Sequence, residues 1–186
     1  MKNFCLLLIF LSSITFAQTN CSTKTSSTKG AIAIDAADLR CIAKNSGKKN
    51  TLFYTFGIWC EPCRLHLPNA IKIARQFNID LYVIIVDAEG SKKASDAVNY
   101  LQKLDKDIKI AIYKNSVYGE KTGKRNRKFV KEITPAKFEM IDDYSKYILL
   151  DNKGEVLMVT TWKDNKGNDW RDDSKMTDKK IVPLLK

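Results

Sequence analysis

Apolar positions along the chain fall into short blocks whose spacing alternates between that of strands and that of helices. Ala31 to Ile34 reads as a short edge strand, after which Asp35 caps a helix through about Lys44. Asn45 to Asn50 is a polar loop. Thr51 to Phe56 is apolar, aromatic or β-branched, the composition of a central strand. After Cys63, the residues Leu65, Leu67, Ala70, Ile71, Ile73, Ala74 and Phe77 recur at roughly helical spacing. Leu81 to Val86 is a second apolar run and ends in Asp87, so these three blocks predict a βαβ unit. Ser91 begins another helix through Leu104, with Ala94, Val98, Leu101 and Leu104 on one face, and Ile108 to Tyr113 is a short strand. Lys146 to Asp151 and Glu155 to Trp162 predict a hairpin around Asp151-Asn152-Lys153-Gly154. The tail is a polar loop, then a short helix near Met176 to Leu185 that breaks at Pro183.

Two stretches do not fit this pattern. Gln18 to Gly30 is rich in Ser, Thr and Asn and lacks periodicity, which predicts a flexible leader. Asn115 to Met140 is long, basic and without a clear period, which predicts an insertion on one edge of the fold. Together the blocks predict an α/β fold: a central mixed sheet flanked by helices, with an insertion at about 115–140 and N- and C-terminal extensions. Residues 31–186 are long enough for one domain with a substantial core, and no internal repeat is visible.

The first residues and the charge change the picture in separate ways. Met1 to Ala17 has the form of a secretory signal: Lys2, the apolar run Phe4 to Leu11, and small residues in Thr15-Phe16-Ala17. Its apolar part is far shorter than the ~20 residues of a spanning helix. Gln18-Thr19-Asn20 before Cys21 are not the small residues that lipidation requires. The expected product is periplasmic or secreted, where disulfides persist. Cys5 would leave with the signal. Cys21 and Cys41 could then form a structural bridge, or Cys41 could be a small buried side chain of its helix. The net charge of +11 is concentrated in Lys121, Lys124, Arg125, Arg127, Lys128 and Lys131. Such a run at 121–131 suits a solvated loop, or contact with acidic partners or an anionic membrane surface. No aromatic interleaving accompanies it, which argues against nucleic acid.

The chemistry is concentrated in Cys60-Glu61-Pro62-Cys63, at the start of the predicted helix. Two thiols at this spacing can close a disulfide ring, and a helix N-terminus lends partial positive charge to the first of them. Half a zinc site shares the spacing. The position at the carboxyl end of a strand, where open α/β sheets place their chemistry, favours redox work. Cys60, beside Trp59, is the candidate attacking thiol, and Cys63 is the resolving one. Pro62 suits the first helical turn. Glu61 either raises the thiol pKa or simply complements the helix dipole. His66, the only histidine, lies one turn past Cys63, as a proton relay to the sulfurs or as a partly exposed helix residue. Cys60, Cys63 and His66 lack a visible fourth metal ligand, and Arg64 stands where haem attachment needs histidine.

Trp59-Cys60-Glu61-Pro62-Cys63, with Pro68 five residues on, resembles the thioredoxin-fold thiol–disulfide oxidoreductases of the TlpA and ResA type. The likeness covers about residues 51–90 and, more loosely, 145–160. It implies a thioredoxin fold and a monomeric enzyme that reduces disulfide-containing proteins outside the cytoplasm. It also implies a membrane electron donor and no bound cofactor. A disulfide oxidase or isomerase is the alternative among enzymes, and a partner-binding or redox-sensing module with little turnover is the rival reading of another class. Three positions depart from the family. His66 stands where a glutamate is common, and Tyr54 where classical thioredoxins bury an acid. The cis-proline loop is matched either by Ser145 or a neighbour, or by Thr134-Pro135 with Lys137 to Ile141 as the strand. Without proline that loop would be trans, because a cis bond costs more at any other residue.

Overall fold

The computed structural model describes residue 21 and residues 23–186, so the expected signal over 1–17 lies outside the described residues. Among the described residues, seven strands form one mixed sheet: β1 (Lys24–Thr25), β2 (Ile32–Ile34), β3 (Asn50–Phe56), β4 (Asp80–Ile85), β5 (Lys109–Tyr113), β6 (Tyr147–Asp151) and β7 (Val156–Val159). Its order is β1-β2-β5-β4-β3-β6-β7. The strands β2, β5, β4 and β3 run parallel, β6 pairs antiparallel with β3, and β7 pairs antiparallel with β6. Helices α1 (Ala36–Asn45), α2 (Glu61–Gln76), α3 (Lys92–Leu104), α4 (Asn115–Tyr118), α5 (Thr122–Ile133), α6 (Ser174–Lys180) and α7 (Val182–Leu185) complete the described elements, with a 3₁₀ turn at Trp162–Asn165.

Strand periodicity divides the core in two. Leu52, Tyr54 and Phe56 of β3 face Leu67, Ala70 and Ile73 of α2 and Val98 and Leu101 of α3. Phe53 points the other way, into a layer with Leu39 and Ile42 of α1 and Phe129, Val130 and Ile133 of α5. All seven residues of β3 are buried, so the strand that leads to the dithiol is wholly enclosed between β4 and β6. Leu104 is exposed, because α3 ends there.

Two expectations are overturned. The flexible leader gives way to order from residue 23 on. Thr25 pairs with Ile32, the Ser26 hydroxyl donates to Glu89 at 2.7 Å, and the Gly90 N–H donates to the Thr28 hydroxyl at 2.8 Å. The Ser and Thr residues that suggested disorder instead bond the loop after β4. The edge insertion is α4 and α5, and α5 buries Arg125, Asn126, Phe129, Val130 and Ile133. That is helical spacing, but two of the five inward residues are polar, and this hides the period from a hydrophobicity reading. Arg125 is therefore not on a solvated loop. It is fully buried, and its guanidinium donates to Asn115 Oδ1 at 2.9 Å and to the Tyr113 carbonyl.

Candidate functional site

The turn from β3 to α2 places both sulfurs. A Cβ on Gly57 would come within 2.9 Å of the Trp59 indole, so only glycine lets the chain fold back so tightly under that ring. Cys60 is extended and N-caps α2, with its sulfur accepting the Cys63 N–H at 3.2 Å. Pro62 lies in the first turn of α2, where its missing N–H has no helical partner to lose. The two sulfurs are bonded at 2.07 Å. Cys60 is 7% exposed and Cys63 0%, so only the first cysteine has any surface in solvent. Glu61 is exposed at the helix start. A second bond joins Cys21 to Cys41, with Cα atoms 5.6 Å apart.

Trp59 is fixed by a residue that sequence reasoning did not single out. Its indole N–H lies 3.1 and 3.0 Å from the two oxygens of Asp87, which is buried where the chain leaves β4. Its ring meets Tyr144 edge-on with centroids 4.9 Å apart. The only signal in the sequence was an aspartate closing an apolar run.

His66 is neither partly exposed nor bonded to a sulfur. It is buried, and its Nε2 lies 2.8 Å from the Trp170 carbonyl. A carbonyl only accepts, so Nε2 carries the proton. Nδ1 lies 2.9 Å from the Ser145 hydroxyl and 3.7 Å from Asp173 Oδ2. The Ser145 hydroxyl is 2.6 Å from the Tyr54 hydroxyl, which also lies 3.0 Å from the Cys63 carbonyl. The chain His66–Ser145–Tyr54–Cys63 has two directions. With His66 neutral, Ser145 donates to Nδ1 and Tyr54 donates to Ser145. With His66 protonated, Nδ1 donates to Ser145, Ser145 to Tyr54, and Tyr54 turns its hydrogen to the Cys63 carbonyl. Burial, opposed by the Ser145 bond and aided by the Asp173 charge, holds the Tyr54 phenol well above its ordinary 10.0, so it stays a donor.

Ser145, not Pro135, belongs to this site. The β3–β6 pairing puts Ser145 just before the strand beside the dithiol, whereas Lys137 to Ile141 forms no strand and Pro135 follows α5. The described peptide bonds are all trans. Ser145 has φ +61°, a backbone that proline, locked near about −65°, cannot take. The loop is held instead by Lys146, whose buried ammonium donates to Asp143 and, at 2.9 Å, to the Thr160 carbonyl. Burial pushes the Lys146 ammonium below its ordinary pKa of 10.5, with the Asp143 charge opposing. Asp143 also accepts the Trp162 N–H at 2.6 Å. Below it, Tyr147 donates to Asp173 at 2.6 Å, and Asn69 donates to the other oxygen at 2.8 Å.

These elements surround a cavity of about 580 Å³ that includes Cys60, Glu61, Pro62, His66 and Ser145 in its lining. Among the described residues, no group of three or more His, Cys, Asp and Glu side chains is arranged to hold a metal ion. No described helix is long and apolar enough to cross a membrane. No family model, curated protein or solved structure matches this chain, so the likeness to the TlpA and ResA type rests on the residues of the motif.

Proposed function

We propose that the protein is a thiol–disulfide oxidoreductase with a thioredoxin-like arrangement, acting through Cys60 and Cys63 on disulfides of exported polypeptides. One observation carries the reading. A disulfide closes the first turn of a helix at the end of a wholly buried strand, and of its two cysteines only Cys60 has any exposure and lines the cavity. In the reduced protein the Cys60 thiolate attacks a substrate disulfide, forming a mixed disulfide and expelling one substrate thiolate, which takes a proton from water. The Cys63 thiolate then attacks the Cys60 sulfur, closing the internal disulfide and releasing the second substrate thiolate. Two electrons pass to the substrate, so a dithiol donor must return two electrons to the protein. The partial charge of the helix N-terminus and the Cys63 N–H both favour thiolate at Cys60. The Cys21–Cys41 bridge suits an oxidising compartment.

Reduction of insulin by dithiothreitol, followed by turbidity, tests this. A catalyst shortens the lag in proportion to its concentration. A lag equal to that with no protein added overturns the reading and favours a partner-binding module.

A further inference from the structure

All three tryptophans of the chain, Trp59, Trp162 and Trp170, line the cavity that Cys60 also lines. They come from the β3–α2 turn, the 3₁₀ turn and the loop before α6, and they are 42%, 56% and 51% exposed. Tyr144 and Met176 complete an apolar wall. Tryptophans left in water around one concavity are typical of recognition surfaces, where they anchor binding. Asp87 holds the Trp59 indole itself, while Asp143 and His66 anchor the Trp162 and Trp170 backbones on the rim.

Charge narrows the occupant. The chain as a whole is strongly cationic, yet the charged residues lining the cavity are Glu61, Asp143, Asp173 and a single lysine, Lys166. Asp143 is paired with Lys146 and Asp173 is held by Tyr147 and Asn69, so the lining offers an anionic small thiol no surplus of positive charge, while an uncharged apolar group finds indole. The volume of about 580 Å³ falls in the ~300–1,000 Å³ range of ligand sites and holds a large side chain with backbone beside it. The occupant must also bring a disulfide to Cys60 while filling the wall. A polypeptide does both when an aromatic residue adjoins its cysteine, since neighbouring Cα atoms are about 3.8 Å apart.

We propose that this cavity selects polypeptide disulfides whose cysteine is flanked by an aromatic side chain, with Trp162 and Trp170 as specificity-determining residues. The proposal rests on the oxidoreductase reading. In the mixed disulfide the substrate backbone crosses Cys60 and its aromatic neighbour sits between the two indoles. Such cysteines are presented by unfolded or loosely folded segments, because a folded core hides them.

The test uses the reduced full chain and two blocked, disulfide-linked peptides of equal length and charge, one with Trp and one with Gly beside the cysteine. The expected kcat/KM ratio is about tenfold or more in favour of the Trp peptide. Trp162→Ala and Trp170→Ala should each shrink that ratio, the double variant should bring it near one, and Trp170→Phe should restore most of it. Because both peptides meet the same preparation, a partly folded sample lowers both rates and leaves their ratio intact. Equal rates for the two peptides in the unmodified protein, or an undiminished ratio in both variants, overturn the pocket and leave the dithiol chemistry standing. Exchange with neither peptide overturns the oxidoreductase reading itself.

Discussion

The strand–turn–helix of residues 50–76 and the wall of residues 143–176 meet at one disulfide, yet different kinds of order hold them. In the first, neighbours in sequence make the structure. A buried strand runs into a glycine turn, and Cys60 caps the helix that Pro62 begins. In the second, the bonds join distant positions. His66 reaches Trp170 across 104 residues, Tyr147 reaches Asp173, and Asp143 reaches Trp162. The first region places the disulfide, and the second lines the cavity beside it.

The sharpest way to break this comparison is to remove the local chemistry. Cys60→Ser should reduce insulin turnover to the rate of dithiothreitol alone, and Cys63→Ser should trap mixed disulfides, read as adducts on non-reducing gels. Trapping by Cys60→Ser instead would reverse the two roles. The next largest effect should fall on the assembled region. Lys146→Met leaves Asp143 and the Thr160 carbonyl without their buried partner. We expect a loss of about 3 kcal/mol, or roughly 6–12 °C in Tm, by urea and thermal unfolding. Glu61→Gln, in the local region and exposed, should cost no more than about 0.5 kcal/mol.

The same contrast decides how much of the molecule is legible in its sequence. β3, α2, β4 and the β6–β7 hairpin were legible because one face or both are continuously apolar. The dithiol was legible because its spacing is contiguous. Helix α5 was not, because Arg125 and Asn126 occupy inward positions, so burial there did not look like burial. Nor were Asp87 and the tryptophan wall, because nothing local marks a carboxylate that grips an indole 28 residues away, or three tryptophans that converge through the fold. Ser145 was placed by the register of β6, but its positive φ could not be inferred from a serine.

Alkaline pH should loosen the whole fold through its buried phenols. Tyr54 and Tyr147 at the site, and Tyr113 near α5, are held well above 10.0, foremost by burial. Unfolded tyrosines lose their protons near pH ~10 while the folded ones keep them. The folded state then binds more protons, so the stability these phenols contribute is complete below about pH 10 and falls as pH rises beyond it. Urea midpoints measured across that range should drop, with phenolate absorbance appearing only on unfolding. Tyr147→Phe should flatten the drop, and a midpoint independent of pH there would contradict the burial of these groups.

A modest effect is the most specific to the joint between the two regions. Tyr54→Phe keeps a ring against Tyr147, whose centroid lies 5.1 Å away, and removes only the hydroxyl between Ser145 and the Cys63 carbonyl. The expected stability cost is about 1 kcal/mol, the size of a lost hydrogen bond. The informative readout is Cys63 reactivity. The Tyr54 hydroxyl, 3.0 Å from the Cys63 carbonyl and 2.6 Å from the Ser145 hydroxyl, is the link through which His66 reaches the turn that carries the resolving thiol. Alkylation of the reduced Cys60→Ser variant should change in rate by a similar factor when His66→Ala, Ser145→Ala or Tyr54→Phe is introduced. If Tyr54→Phe leaves the rate unchanged while His66→Ala alters it, the imidazole acts on Cys63 through space, and the chain of hydroxyls serves only to hold the two regions together.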